Sequence, residues 1–156
     1  MRVPRVVARA YEPEVSPRPP PGAPWAPPSP PLVRGVVRAG IAVPAVGPDT
    51  AFGDLMREMS AKGLGAAAIV DAERRVLGIF TDGDLRRKIE TGADLRATTA
   101  TQVMTPAPRT IGDELLAAEA VAVMEERRIT TLLVVDADGR LVGALNTNDL
   151  MRAKVI

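Results

Sequence analysis

The sequence holds no cysteine and no histidine. Disulfides, thiolate nucleophiles, imidazole bases and nearly all transition-metal sites are excluded together, and the missing thiols fit a reducing compartment. Aromatic residues are almost as scarce, with one Trp, one Tyr and two Phe among 156 residues. Because 46% of the chain is nevertheless hydrophobic, a packed interior has to be assembled from Val, Leu, Ile, Met and Ala. No apolar run approaches the roughly 20 residues that a membrane-spanning helix needs. Pro4 and Arg5 interrupt any signal-peptide core, so a cytoplasmic protein is expected. A charge excess is lacking too: six Arg against two Glu leave +4 in residues 1–40, and −3 remains for 41–156. An acidic body with a mildly basic tail predicts neither nucleic acid nor membrane as a partner.

What is present is punctuation and repetition. Residues 18–31 are dominated by proline, which fixes φ and removes a backbone donor. Residues 1–35 are therefore expected to be a disordered, solvated Pro-rich tail with Trp25 exposed, and only secondarily a ligand for a proline-binding groove. Beyond residue 41 the chain repeats itself. A displacement of 65 positions lays Ile69-Val70-Asp71 onto Val134-Val135-Asp136 without a gap, and likewise Gly47 onto Gly112, Met59 onto Met124 and Asp84-Leu85 onto Asp149-Leu150. Two copies are too few for a solenoid and suggest a pseudo-twofold pair packed face to face.

Each copy has the same local grammar. In the first, Asp49-Thr50 supplies a helix cap, Phe52, Leu55, Met56 and Met59 form a buried face, and Gly63 supplies the stop. In the second, Asp113 is the candidate cap, and Leu116, Ala120, Val123 and Met124 form the face. Strands are predicted at 66–70 and 75–80, and again at 132–135 and 140–145, the latter pair joined at Asp138-Gly139. Helices at 82–90 and 147–154 complete a β-α-β-β-α order, twice. The fold class is α+β, each sheet covered on one face by its own helices and on the other by its mate.

The junction between the last strand and last helix carries the most information. It reads Thr81-Asp82-Gly83-Asp84 in one copy and Asn146-Thr147-Asn148-Asp149 in the other. One reading is helix capping, with Thr81 or Asn146 at the N-cap and the aspartate at N3. The other is a ligand site, because free N–H groups at a helix start attract phosphate and a carboxylate one turn in accepts from a vicinal diol such as ribose. Both readings use the same geometry.

The string Gly78-Ile79-Phe80-Thr81-Asp82-Gly83-Asp84-Leu85-Arg86-Arg87, with Val103-Met104-Thr105-Pro106 and Leu132-Leu133-Val134-Val135-Asp136, resembles the tandem CBS domains of bacterial arabinose-5-phosphate isomerases. The resemblance covers about residues 38–156 and implies CBS domains at 36–95 and 96–156, packed with pseudo-twofold symmetry. It implies ribose hydroxyls on Asp84 and Asp149, phosphate near Thr81 and Asn146, and a base framed by Pro44, Ala45, Gly65 and Ala66 in one copy and by Arg109, Thr110, Thr130 and Thr131 in the other.

Three departures from the family pattern qualify that expectation. Nothing in residues 1–40 encodes the sugar isomerase domain that precedes the CBS pair in those enzymes of lipopolysaccharide synthesis, so no catalytic residue, required cofactor or enzyme activity is expected. The approach Gly35-Val36-Val37-Arg38-Ala39-Gly40 lacks the family's Asp-Val-Met and predicts a less well anchored first strand. Asn148 stands where the isomerase group has His. The expected function is a regulatory module that binds AMP, ATP or a nucleotide sugar such as CMP-Kdo between the copies. The expected partners are a second pair in a homodimer and a sugar isomerase domain in trans. The alternatives are a structural dimerisation module without ligand and a gene fragment whose first 33 residues are misread.

Overall fold

Apolar strands that alternate with amphipathic helices build each half in the predicted order. The computed structural model describes residues 21–22, 24 and 29–156; most of the proline-rich tract, Trp25 included, lies outside them. In the first copy β1 (Ala45–Val46) leads to α1 (Phe52–Lys62), the hairpin β2 (Ala66–Val70) and β3 (Val76–Thr81), and α2 (Asp82–Glu90). A short α3 (Ala100–Val103) and β4 (Thr105–Pro106) connect to the second copy. That copy comprises β5 (Thr110–Gly112), α4 (Ala117–Arg127), β6 (Thr131–Val135), β7 (Leu141–Asn146) and α5 (Thr147–Arg152).

In both copies the short first strand runs parallel to the second, and the hairpin is antiparallel with a register shift one step before its turn, at Ile69/Val70 and at Val134/Val135. The repeat thus extends to the bulge that re-aims the turn. Phe80, Leu55 and Ile69 fill one core, and Leu132, Leu145 and Leu150 the other. A third cluster joins the copies, with Ala68, Val70 and Leu64 against Leu133, Leu141 and Ala144. At the pseudo-twofold axis the equivalent residues Arg75 and Arg140 form an antiparallel bridge, and the Leu141 N–H donates to the Arg74 carbonyl at 2.8 Å.

The segments ahead of each copy are exchanged. β4, the lead-in to the second copy, pairs with β3 of the first, Ile79 opposite Thr105. Conversely Arg38, ahead of the first copy, pairs with Ala144 on β7. The same exchange recurs at the helix starts, where Ala51 bridges Thr99 and Leu116 bridges Leu32. The lead-ins therefore correspond at a displacement of 67 (Leu32 to Thr99, Arg38 to Thr105), not 65. Residues 32–35, which the sequence assigned to the tail, are part of this packing: they carry a 3-10 turn, and Val33 is completely buried in the second core. Val36 and Val37 take the places of Val103 and Met104, so the missing family motif does not leave the approach unanchored.

The exchange corrects both expected helix caps. The N-cap positions are Ala51 and Leu116, neither with a side-chain oxygen, rather than Asp49-Thr50 and Asp113. The first helical N–H groups are satisfied by the incoming lead-in instead: Phe52 donates to the Thr98 carbonyl at 3.0 Å and Ala117 to that of Pro31 at 2.9 Å. Because α4 starts at Ala117, its buried face is Ala117, Ala120, Val121 and Met124. Leu116 and Val123 of the expected face are only partly buried.

Gly63 ends α1 in the left-handed region as predicted, and Gly139 closes the second hairpin at φ 80°. The equivalent of Gly139 in the first hairpin is Arg74, at φ 65°. A β-carbon is strained there, and the described hydrogen bonds of Arg74 are made by its backbone, to Asp71 and Leu141. Arg74→Gly is expected to stabilise the chain by about 0.5–1 kcal/mol, the left-handed cost less glycine's extra chain entropy. Urea unfolding measures it, and an unchanged or lower midpoint would contradict it.

Candidate functional site

Two helix starts and two helix ends converge between the copies. Each last helix is tied to the start of its own hairpin, since Asp82 N–H donates to the Gly65 carbonyl at 3.0 Å and Thr147 N–H to that of Thr130 at 3.2 Å. Gly65 allows this approach: it sits at φ 77°, and a β-carbon there would lie 3.1 Å from the Asp82 carboxylate. The result is a cleft of about 1300 Å³. Of the residues singled out from the sequence, Thr81, Gly65, Arg109, Thr130, Thr131 and Asn146 line it, with Thr147 and Asn148 beside Asn146.

The others do not line it, and these include the largely buried Asp84 and Asp149, which lie behind the capping residues they bond. Pro44 is fully buried and its carbonyl accepts from Ala68 N–H at 2.9 Å, so it is spent in the strand ladder. Ala66 is equally buried inside β2. Thr110 lies within β5 and does not reach the cleft, and Ala45 faces a separate cleft of about 520 Å³ with Glu58, Lys62 and Arg74. None of Pro44, Ala45, Ala66 and Thr110 lines the cleft: Ala45, Ala66 and Thr110 lie in strands, and Pro44 immediately precedes β1.

Thr81 and Asn146 do cap their helices. Thr81 Oγ1 accepts from Asp84 N–H at 3.1 Å and Asp84 Oδ2 accepts from Thr81 N–H at 2.9 Å; Asn146 and Asp149 repeat both bonds at 3.0 Å. Beyond these shared bonds the two carboxylates differ. Asp84 pairs with the exposed Arg87 of its own helix. Asp149 pairs with Arg38 from the exchanged lead-in, whose Nε lies 3.1 and 3.2 Å from its two oxygens. Sequence reading missed Arg38, because its partner is 111 positions away and no local pattern marks it.

It also missed the electrostatics. Arg86, Arg87, Arg109, Arg127 and Arg128 all line the cleft, and among the described residues Asp82 is the one lining carboxylate. Overall charge averages this away, since the acidic residues of the body lie elsewhere. Five guanidinium groups around a concave site attract and fork onto phosphate or carboxylate oxygens.

A model of the CBS domain family matches residues 34–91 and 100–156. The chain is 47% identical over 124 residues to arabinose 5-phosphate isomerase KdsD of Pseudomonas aeruginosa, covering 80% of this chain and 38% of that protein. It is 38% identical to the protein of the same name from Escherichia coli K12 over the same length and shares. It thus spans 38% of the length of the curated relatives it matches. Among solved structures, CBSX2 of Arabidopsis thaliana in complex with AMP superposes with a TM-score of 0.68 at 24% identity, covering 79% of this chain and 95% of that one. The CBS domain pair of protein MJ0100, in complex with 5′-methylthioadenosine and S-adenosyl-L-methionine, gives 0.70 at 18%, covering 80% and 95%. At these identities the structural likeness is one of fold.

Proposed function

The chain belongs to the CBS domain family, and on that premise we propose that it is a regulatory module sensing an anionic nucleotide-type ligand in the cleft between its copies. The observation that carries this reading is the set of five arginines that line the cleft around Thr81 and Asn146, of which Arg87 is paired with Asp84. In this reading the phosphates lie among the arginines, and a ribose diol reaches Asp84 by displacing Arg87, whose side chain is 68% exposed and free to swing into solvent. The neighbours' ligands, AMP, 5′-methylthioadenosine and S-adenosyl-L-methionine, favour an adenosine-containing compound. The likeness to KdsD favours CMP-Kdo, whose phosphate and sugar carboxylate suit the same arginines. In this reading the role of the CBS pair is regulatory and not catalytic. A bound ligand acts by favouring one packing of the copies across their pseudo-twofold, and a homodimer of pairs passes that on to a sugar isomerase domain in trans.

Isothermal titration of the full chain with AMP, ATP and CMP-Kdo tests the reading. At least one is expected to bind, more weakly as salt rises, and about tenfold to a hundredfold more weakly in Asp84→Ala. No heat and no thermal shift with any of the three, from a chain that light scattering shows to be a stable assembly, would favour a purely structural module.

A further inference from the structure

The pseudo-twofold makes Asp84 and Asp149 equivalent, yet the exchanged lead-ins cover them with different residues. Opposite Ile79, in the copy of Asp84, stands Thr105; opposite the equivalent Ala144, in the copy of Asp149, stands Arg38. Thr105 is short and lines the cleft. Arg38 is long, and its guanidinium lies against both oxygens of Asp149 while Nη1 donates to the Lys62 carbonyl at 3.0 Å. That carbonyl is at the end of α1, where acceptors have no partner within the helix and a cation is favoured. The Arg38 side chain is only 19% exposed and that of Asp149 7%, against 68% and 11% for Arg87 and Asp84.

We infer that Arg38 is a built-in occupant of the second ligand position, so that each chain takes one nucleotide, at Asp84, and none at Asp149. The inference rests on the nucleotide reading above. A diol offers a carboxylate two neutral O–H donors, whereas Arg38 offers charge-assisted bonds from a side chain already held in place by strand pairing. Displacing it would strand a guanidinium and open the lead-in. Displacing Arg87 returns an exposed side chain to water. The asymmetry is therefore one of strand chemistry at a single position, and it sets stoichiometry without altering the fold.

The test is titration of the full chain with ATP. The wild-type chain is expected to saturate at one ATP per chain. Arg38→Thr, which gives the second copy the residue that covers Asp84 in the first, should saturate at two. Adding Asp149→Asn to that variant should return it to one. Two equivalents in the wild-type chain, or one in folded Arg38→Thr, would overturn the inference and leave the nucleotide reading standing. Binding of none of ATP, AMP and CMP-Kdo by either chain would remove both. Should Arg38→Thr fail to fold, Arg38→Gln, which still donates to Asp149 but carries no charge, is expected to show the second equivalent.

Discussion

Asp149→Ala should lower the stability of the chain by about 3–5 kcal/mol, whereas Asp84→Ala, its pseudo-equivalent, should cost only about 1 kcal/mol. Both substitutions delete the same half of a capping box. The difference lies in the cation left behind. Arg87 is two-thirds exposed and regains water when Asp84 is lost. Arg38, on the lead-in, is held between Asp149 and the Lys62 carbonyl, and removal of the carboxylate leaves its largely buried charge with one neutral acceptor. Urea midpoints of the two variants measure the contrast at once, and equal losses would contradict it. The mild cost of Asp84→Ala is also what makes that variant useful as a binding control.

Gly143→Ala should destabilise by about 1–3 kcal/mol through overpacking at the exchanged strand. A β-carbon at Gly143 would stand 2.9 Å from the Arg38 carbonyl oxygen and 3.0 Å from Val37 Cγ2. Relief by moving the lead-in is costly, because Arg38 is fixed to Ala144 by backbone bonds in both directions, at 2.9 and 3.0 Å. Gly78 meets the same obstacle in the other copy, with the Thr105 carbonyl at 2.9 Å, although its nearest atom is the flexible Met104 sulfur. The same movement would draw Arg38 off Asp149, so Gly143→Ala combined with Asp149→Ala should cost less than the two changes added separately. Full additivity in urea unfolding would show the two sites to be independent.

The parts of this fold that local sequence determines were legible. Both hairpins fall within one residue of their predicted bounds, Gly63 stops its helix, and Thr81 and Asn146 cap theirs. Each rests on bonds closed within a few residues. The failures share the opposite property. Ala51 and Leu116 carry no capping oxygen because carbonyls from Thr98 and Pro31 do that work from far away in sequence. The lead-ins escaped the ungapped repeat because their displacement is two positions longer, so Val36-Val37 never aligned with Val103-Met104. At the site, Thr81, Gly65, Thr130, Thr131 and Asn146 at helix starts and strand openings line the cleft, while Pro44, Ala45, Ala66 and Thr110 do not, because strand alternation and backbone pairing hold them in or against the sheets. The basic cleft was invisible because Arg109, Arg127 and Arg128 come from one copy and Arg86 and Arg87 from the other. Only their meeting, not their spacing, makes a field.

The exchanged lead-ins also set the order in which the chain becomes a protein. The first core includes Ala100 and Val103, so it stays open until the ribosome has moved well into the second half. The second core takes Val33, ahead of the first copy, together with Leu150 and Val155 at the far end of the second. The earliest described segment thus waits for the final one, across a separation as large as the 111 positions between Arg38 and Asp149. Closure of so long a loop is slow, and the second core cannot close before Val155 has been made.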